Sequence, residues 1–234
     1  MTTLTRRDKI DLAMMLSLTF STGVIDAVGY LGLDRVFTGN MTGNVVILGM
    51  ALTGANGLPV LGPVVALGAF MLGAAIGGRC VRRQGKGWNG TSAVLLVVVG
   101  VLMVALATTL LVVGDQPPSH VAIPVTGGLG LVMGMQAATA RKIGVTDVTT
   151  VVVTSTITGL AADSWLGGNH KKTWFRRCAA VVLIGSGAAV GALLLMIHIG
   201  LGVALSAFIT LLVALVGHLA HRRASVAETI VSVG

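Results

Sequence analysis

Charge is what this chain has least of. Only 10% of its 234 residues are charged, while 54% are hydrophobic. A soluble domain carries about 25% charged residues, so the shortage excludes that class and makes the chain an integral membrane protein. Cysteine is nearly absent as well. Cys80 and Cys178 are the only two, each beside a basic cluster and without metal spacing, which leaves free structural thiols rather than a zinc site or disulfide framework. H-E-x-x-H, a P-loop and G-x-S-x-G in a suitable context are all missing. No enzyme is expected, and no cofactor or metal site. "MTTLTRRDK" is basic, but the apolar segment after it is too long for a signal peptide and lacks an A-x-A-like cleavage site.

What the chain does have is glycine, 33 residues of it, and a net charge of +8 with a pI near 10.5. Small residues let membrane helices pack closely. The basic residues sit in short clusters between apolar runs, as cytoplasmic loops require, so nucleic acid is not expected as a partner; the bilayer is.

A bilayer core of about 30 Å needs roughly 20 apolar helical residues. Six runs qualify: 10–33, 59–80, 91–114, 120–141, 175–197 and 200–220. Two further charge-poor stretches, 36–54 and 148–162, carry polar motifs and either span or re-enter. If both re-enter and the N-terminus is inside, 15 of the 16 basic residues fall on the cytoplasmic side, with Arg35 outside. If both span, the split becomes 9 to 7. Lys/Arg bias in short loops sets orientation, so the pattern predicts six spans, two re-entrant segments and both termini in the cytoplasm. Trp88, Trp165 and Trp174 fall near the same surface, where such rings favour the headgroup level.

The first motif, "FTGNMTGN" (37–44), has an echo in "VTSTITGL" (153–160), offset by 116 residues. "GAAIG" (73–77) meets "GAAVG" (187–191) at 114, and Gly23 meets Gly134 at 111. Three spans per half turn the second half upside down, and inverted repeats with interrupted segments in matching positions point to a transporter site. The fold expected is therefore all-α: one membrane domain over 1–234, a 3+3 inverted repeat with halves at about 10–114 and 120–221, and a cytoplasmic tail at 222–234. "VTTVVVT" is β-branched and prefers extended backbone, so short antiparallel strands pairing it with "VFT" (36–38) are expected at the midplane.

Half-helices beginning near Thr42 and Thr158 would aim their N-termini at each other, making an anion or carboxylate cradle. The candidate substrate-binding residues are Thr38, Gly39, Asn40, Thr42, Gly43, Asn44, Thr154, Ser155, Thr156, Thr158 and Gly159. The threonines, serine and asparagines supply hydrogen bonds, and the glycines let backbone approach closely. Asp26 lies well inside the first span, and an intramembrane carboxyl is a functional candidate by default. With Gln136 as its neutral counterpart, it is the candidate proton-coupling residue.

"GVIDAVGYLGL", "VFTGNMTGNVVILG" and "GMQAATARKIGVTDVTTVVVTSTITGLAAD" together resemble the YoaK family of bacterial inner-membrane proteins, a domain of unknown function. The resemblance covers roughly 10–220. Where that family commonly has asparagine after the glutamine of the second half, this chain has Ala137. The resemblance implies a polytopic protein of the bacterial inner membrane and supplies no substrate. From the residues themselves the expected function is a small-solute transporter, for an organic anion and proton-coupled through Asp26. A channel with opposed half-helices and a non-transporting assembly or sensor protein stay open beside it. The glycine pairs at 73/77 and 187/191 are close-packing seams, within the subunit or in a homodimer.

Overall fold

The structure is a computed structural model that describes residues 6–54, 57–85, 87–144, 153–162 and 171–233. Eight helices appear among them: α1 (Arg6–Gly32), α2 (Met41–Leu52), α3 (Leu61–Val81), α4 (Gly90–Val113), α5 (Ser119–Ile143), α6 (Val153–Ala162), α7 (Lys171–Leu195) and α8 (Ile199–Val233). Six of them, α1, α3, α4, α5, α7 and α8, are long and apolar enough to cross a membrane. They fall on the six expected runs, and the protein is a multi-pass membrane protein.

Local chemistry sets several helix ends. Asn89 caps α4 by accepting the Ser92 N–H at 2.9 Å, as short polar side chains do for the first unpaired amides of a helix. Gly114 (φ 99°) ends α4 and Gly144 (φ 67°) ends α5, both in conformations that glycine adopts without steric cost. The start of α8 is capped from far along the chain: Asp115, just past α4, accepts the Ile199 N–H at 2.9 Å.

Packing follows the glycines. A Cβ on Gly23 of α1 would fall 2.9 Å from the Ala188 nitrogen of α7, and one on Gly187 would fall 3.0 Å from the Phe20 carbonyl carbon. On the other side, a Cβ on Gly134 of α5 would fall 2.8 Å from the Ala74 nitrogen of α3, and one on Gly73 would fall 2.8 Å from the Leu131 carbonyl carbon. Both seams expected from the glycine pairs therefore lie inside the chain, not between two copies of it. Phe20 and Val24 meet Gly187 and Gly191 in that order, so α1 and α7 run the same way; Leu131 and Met135 meet Gly73 and Gly77, so α5 and α3 do too.

Helix α8 runs against α1, with Gly32 on Ile199 and Gly202 on Val28. It also runs against α4, with Gly200 beside the Ala107 carbonyl and Gly100 beside that of Ala207. Ile25, Met103, Leu129 and Val203 fill the centre, and Met15, Leu18, Leu96, Ile143 and Val213 fill the end where α1 begins. The outer faces of α4, α7 and α8 expose Val94, Val101, Val182, Leu193, Phe208 and Leu215, as lipid contact demands.

Three expectations change. No strand occurs among the described residues, and 36–38 is irregular backbone whose amides are taken by other partners; of its expected mate, 148–154, residues 148–152 lie outside the described residues and Val153 and Thr154 open α6. Helix α6 begins at Val153, so Thr158 is in mid-helix, where its hydroxyl bonds the Thr154 carbonyl at 3.0 Å. Trp88 is no headgroup anchor: it is 9% exposed and packs on Gly217 of α8. Trp165 falls outside the described residues.

Candidate functional site

After α1 the chain turns straight back on itself. Gly29 accepts the Leu33 N–H at 3.1 Å and the Val36 N–H at 3.2 Å. Asp34 (φ 60°) and Arg35 (φ 55°) both take the left-handed conformation that makes the reversal, a sparsely populated one for side chains other than glycine. Gly29 permits it, because the Val36 carbonyl lies where a Cβ would stand.

The reversal brings "FTGN" down beside Asp26, which is 6% exposed. The Asp26 Oδ1 accepts backbone N–H groups from Thr38 at 3.1 Å, Gly39 at 2.7 Å and Asn40 at 3.3 Å. Its Oδ2 accepts the Asn40 Nδ2. Asn40 is the residue before α2, and its own side chain makes no capping bond. The amides of the loop that leads into this helix, up to the cap residue Asn40, are thus met by a carboxylate from another helix. An N-terminus carries partial positive charge and favours an anion there. Gly39 has no room for more: a Cβ would fall 2.7 Å from Thr22 Cγ2 and 3.2 Å from Asp26 Oδ1.

Asn44 holds the loop from the other side. Its Oδ1 accepts the Phe37 N–H at 2.9 Å, and its Nδ2 donates to the Phe37 carbonyl at 2.5 Å. Both backbone groups of Phe37 are satisfied by one fully buried amide, so the loop needs no strand partner. The Phe37 ring packs on Tyr30 at a centroid distance of 5.0 Å and closes over Gly43.

The other sequence-selected residues divide. Thr38 is fully buried and its hydroxyl finds no partner, whereas Thr42 is exposed. In α6, Thr154, Ser155 and Thr158 are exposed, Thr156 is 7% exposed, and Gly159 lies against Arg177 of α7. Helix α2 packs on α3, and α6 packs on α7. Among the described residues the two motif helices do not touch.

No hydrogen bond joins Gln136 to Asp26. Gln136 faces α8, where its Oε1 lies 3.3 Å from the Thr210 hydroxyl. With it are three residues that sequence reasoning passed over: Ser21, Ser206 and Thr210, all buried. The only sequence signal is the four-residue spacing of Ser206 and Thr210, which puts both on one face of α8. Cys80 and Cys178 are free thiols, the first exposed.

The family described as "Protein of unknown function (DUF1275)" matches residues 14–216, from within α1 to the middle of α8. The chain belongs to this family. It is 30% identical over 186 residues to the UPF0700 transmembrane protein YoaK of Bacillus subtilis (strain 168), covering 75% of this chain and 80% of that protein. The relative's printed description as a transmembrane protein agrees with the six apolar helices here. No solved structure matches the chain. The family name carries no chemistry, so a functional reading of the DUF1275 fold rests on its geometry.

Proposed function

We propose that the protein is a small-solute transporter that carries an organic anion together with a proton, with Asp26 as the proton carrier. One observation carries this reading: the amides of residues 38–40 and the Asn40 side chain hold the Asp26 carboxylate. A nest of this kind is a carboxylate receptor, and the protein's own side chain is its occupant. Protonation of Asp26 removes the charge that the amides favour. A carboxylate on a solute then takes the vacated position, and the nest again holds one negative charge. Binding of the anion and uptake of the proton are coupled because they are two halves of one exchange.

Thr38, Gly39 and Asn40 supply the contacts in this scheme, while Gly43 and Asn44 hold the loop in shape. Thr154, Ser155, Thr156, Thr158 and Gly159 form the counterpart segment of the second half. The inverted repeat is supported by the seams. Gly23 and Phe20 of α1 correspond to Gly134 and Leu131 of α5 at an offset of 111. Ala188 and Gly187 of α7 correspond to Ala74 and Gly73 of α3 at 114. Each half thus lays its glycine-rich helix on the first helix of the other half, with the same residues in contact.

A re-entrant course for 33–60 is supported by the chain reversal after Gly32 and by Gly62 of α3, which packs against Val36. The segment leaves and returns at one end of the bundle. With Lys and Arg biased to the cytoplasm, both termini lie inside and this end faces out. Rocking of the α1–α7 pair against the α3–α5 pair about the midplane, with both seams intact, would expose the nest to either side.

Thermal unfolding of the purified protein with malonate, succinate or citrate, at pH 5 and at pH 8, tests the exchange. A ligand that binds only the folded state stabilises it by RT ln(1 + [L]/Kd), about 2.7 kcal/mol at a hundredfold excess over Kd. The shift in Tm is expected to be larger at pH 5 for the wild type. In Asp26→Asn, which imitates the uncharged carboxyl, it should be the same at both pH values. No shift from any of the three at either pH removes the basis for an anion site.

A further inference from the structure

Inside the bundle, four uncharged polar residues from three helices are linked by hydrogen bonds. Ser21 of α1, Gln136 of α5, and Ser206 and Thr210 of α8 are each no more than 1% exposed. Their hydrogen bonds do not close. The Ser206 hydroxyl donates to the Ser21 carbonyl at 3.3 Å. The single Thr210 proton has two oxygen acceptors within reach, the Ser206 carbonyl at 2.8 Å and Gln136 Oε1 at 3.3 Å, and the shorter contact takes it. The Gln136 Nε2 and the Ser21 hydroxyl have no partner. With the Thr210 proton on the Ser206 carbonyl, this orientation leaves both ends of Gln136 unpaired; exchanging the amide oxygen and nitrogen would pair Nε2 with Thr210 and leave Oε1 unpaired, so neither orientation satisfies the amide.

Unpaired polar groups in a membrane interior are costly, because no water stands ready to replace the missing partner. Two of them, contributed by different helices to one cluster, mark a place where a ligand completes the network. We propose that Ser21, Gln136, Ser206 and Thr210 form a second binding site, for a small hydroxyl ligand that can donate to or accept from the Gln136 amide. Water and a hydroxyl group of a solute share that chemistry. Ser21 precedes Asp26 by five residues, about 7.5 Å along the helix at ~1.5 Å per residue, toward the end where α1 begins. The site therefore lies on the opposite side of Asp26 from the chain reversal. As a solute station it rests on the transport reading; as a hydration site it does not.

Thiol accessibility in inverted membrane vesicles tests it, on a chain with Cys80→Ser and Cys178→Ser. Ser21→Cys and Ser206→Cys are close in size to the native side chains and serve as two independent sensors. Ala207→Cys is the buried reference, one residue from Ser206 and 1% exposed. Gln84→Cys, on an exposed turn, gives the rate of full reaction. The probes are silver ion, near water in size, and a trimethylammonium methanethiosulfonate, near a small solute in size.

Reaction of either sensor with silver at least tenfold faster than Ala207→Cys supports the site. Reaction with both probes assigns it to solute hydroxyls, and reaction with silver alone assigns it to water. If both sensors are as inert as Ala207→Cys while Gln84→Cys reacts fully, the cluster is dry and the proposal fails. Gln136→Leu gives a second reading that needs no cysteine. Removing an amide that holds a ligand lowers Tm, whereas removing an orphan amide from a dry cluster raises it.

Discussion

Gly73→Val is expected to abolish recovery of monodisperse protein from membranes, while Gly68→Val on the same helix leaves it unchanged. The two positions differ in what a new side chain meets. At Gly73 even a Cβ would come within 2.8 Å of the Leu131 carbonyl carbon, and the obstacle is helix backbone that cannot rotate away. At Gly68 nothing lies within 4 Å. Lipid tails are as apolar as leucine, so membrane helices associate through close packing rather than through the hydrophobic effect. Separating α3 from α5 forfeits the dispersion contacts along the whole seam. Overpacking a rigid core typically costs about 1–3 kcal/mol and occasionally more; with Gly77, Gly130 and Gly134 in the same seam, the upper end applies. Gly187→Val on α7 should fail in the same way and Gly185→Val should not, because Gly187 meets the Phe20 backbone while Gly185 meets nothing. Size-exclusion profiles of the four variants decide it. Equal recovery of Gly73→Val and Gly68→Val would mean that the glycine seams do not hold the bundle together.

Asp26→Ala should be strongly destabilising, because each buried donor left without an acceptor costs about 1–3 kcal/mol. Three backbone N–H groups and the Asn40 amide lose their acceptor at once, and water has little access to replace it. Asp26→Asn should cost less, because Asn Oδ1 can still accept from the loop. It would, however, turn an N–H donor toward the Asn40 Nδ2. Pairing it with Asn40→Asp restores complementary groups, so the double variant should be more stable than the sum of the two singles implies. Coupling of about 0.5–3 kcal/mol is usual for residues in direct contact. Denaturation midpoints of the four proteins give the cycle. An additive cycle, or an Asp26→Ala as stable as the parent, would show that the carboxylate does not hold the motif.

Much of this was legible in the sequence. The six spans follow from runs of apolar residues and from the placement of Lys and Arg, both of which are local properties. Asp26 and the Thr-Gly-Asn repeat stand out because each conflicts with the surrounding hydrocarbon. That the two conflicts resolve each other was not legible. The pairing spans 12 to 14 residues and depends on a reversal at Asp34 and Arg35, where no glycine announces a left-handed turn. Thr42 looked like a cap by residue type, but α2 begins one residue earlier and the capping anion comes from α1.

The buried polar cluster was hidden for a different reason. Serine and threonine in membrane helices commonly bond the carbonyl four residues back, as Thr19, Thr22 and Thr139 do here. Nothing in the sequence separates those from Ser21, whose hydroxyl is left without a partner.

Proton movement in proteoliposomes tests the coupled exchange most directly. Vesicles containing the protein and an entrapped pH indicator are given an inward gradient of malonate, which crosses bare lipid poorly. The wild type is expected to acidify the lumen with a rate that saturates in malonate and exceeds that of protein-free vesicles at least tenfold. Asp26→Asn, folded but without a titratable group in the nest, is expected to give only the protein-free rate. Acidification by Asp26→Asn equal to that of the wild type would contradict the assignment of Asp26 as the proton carrier.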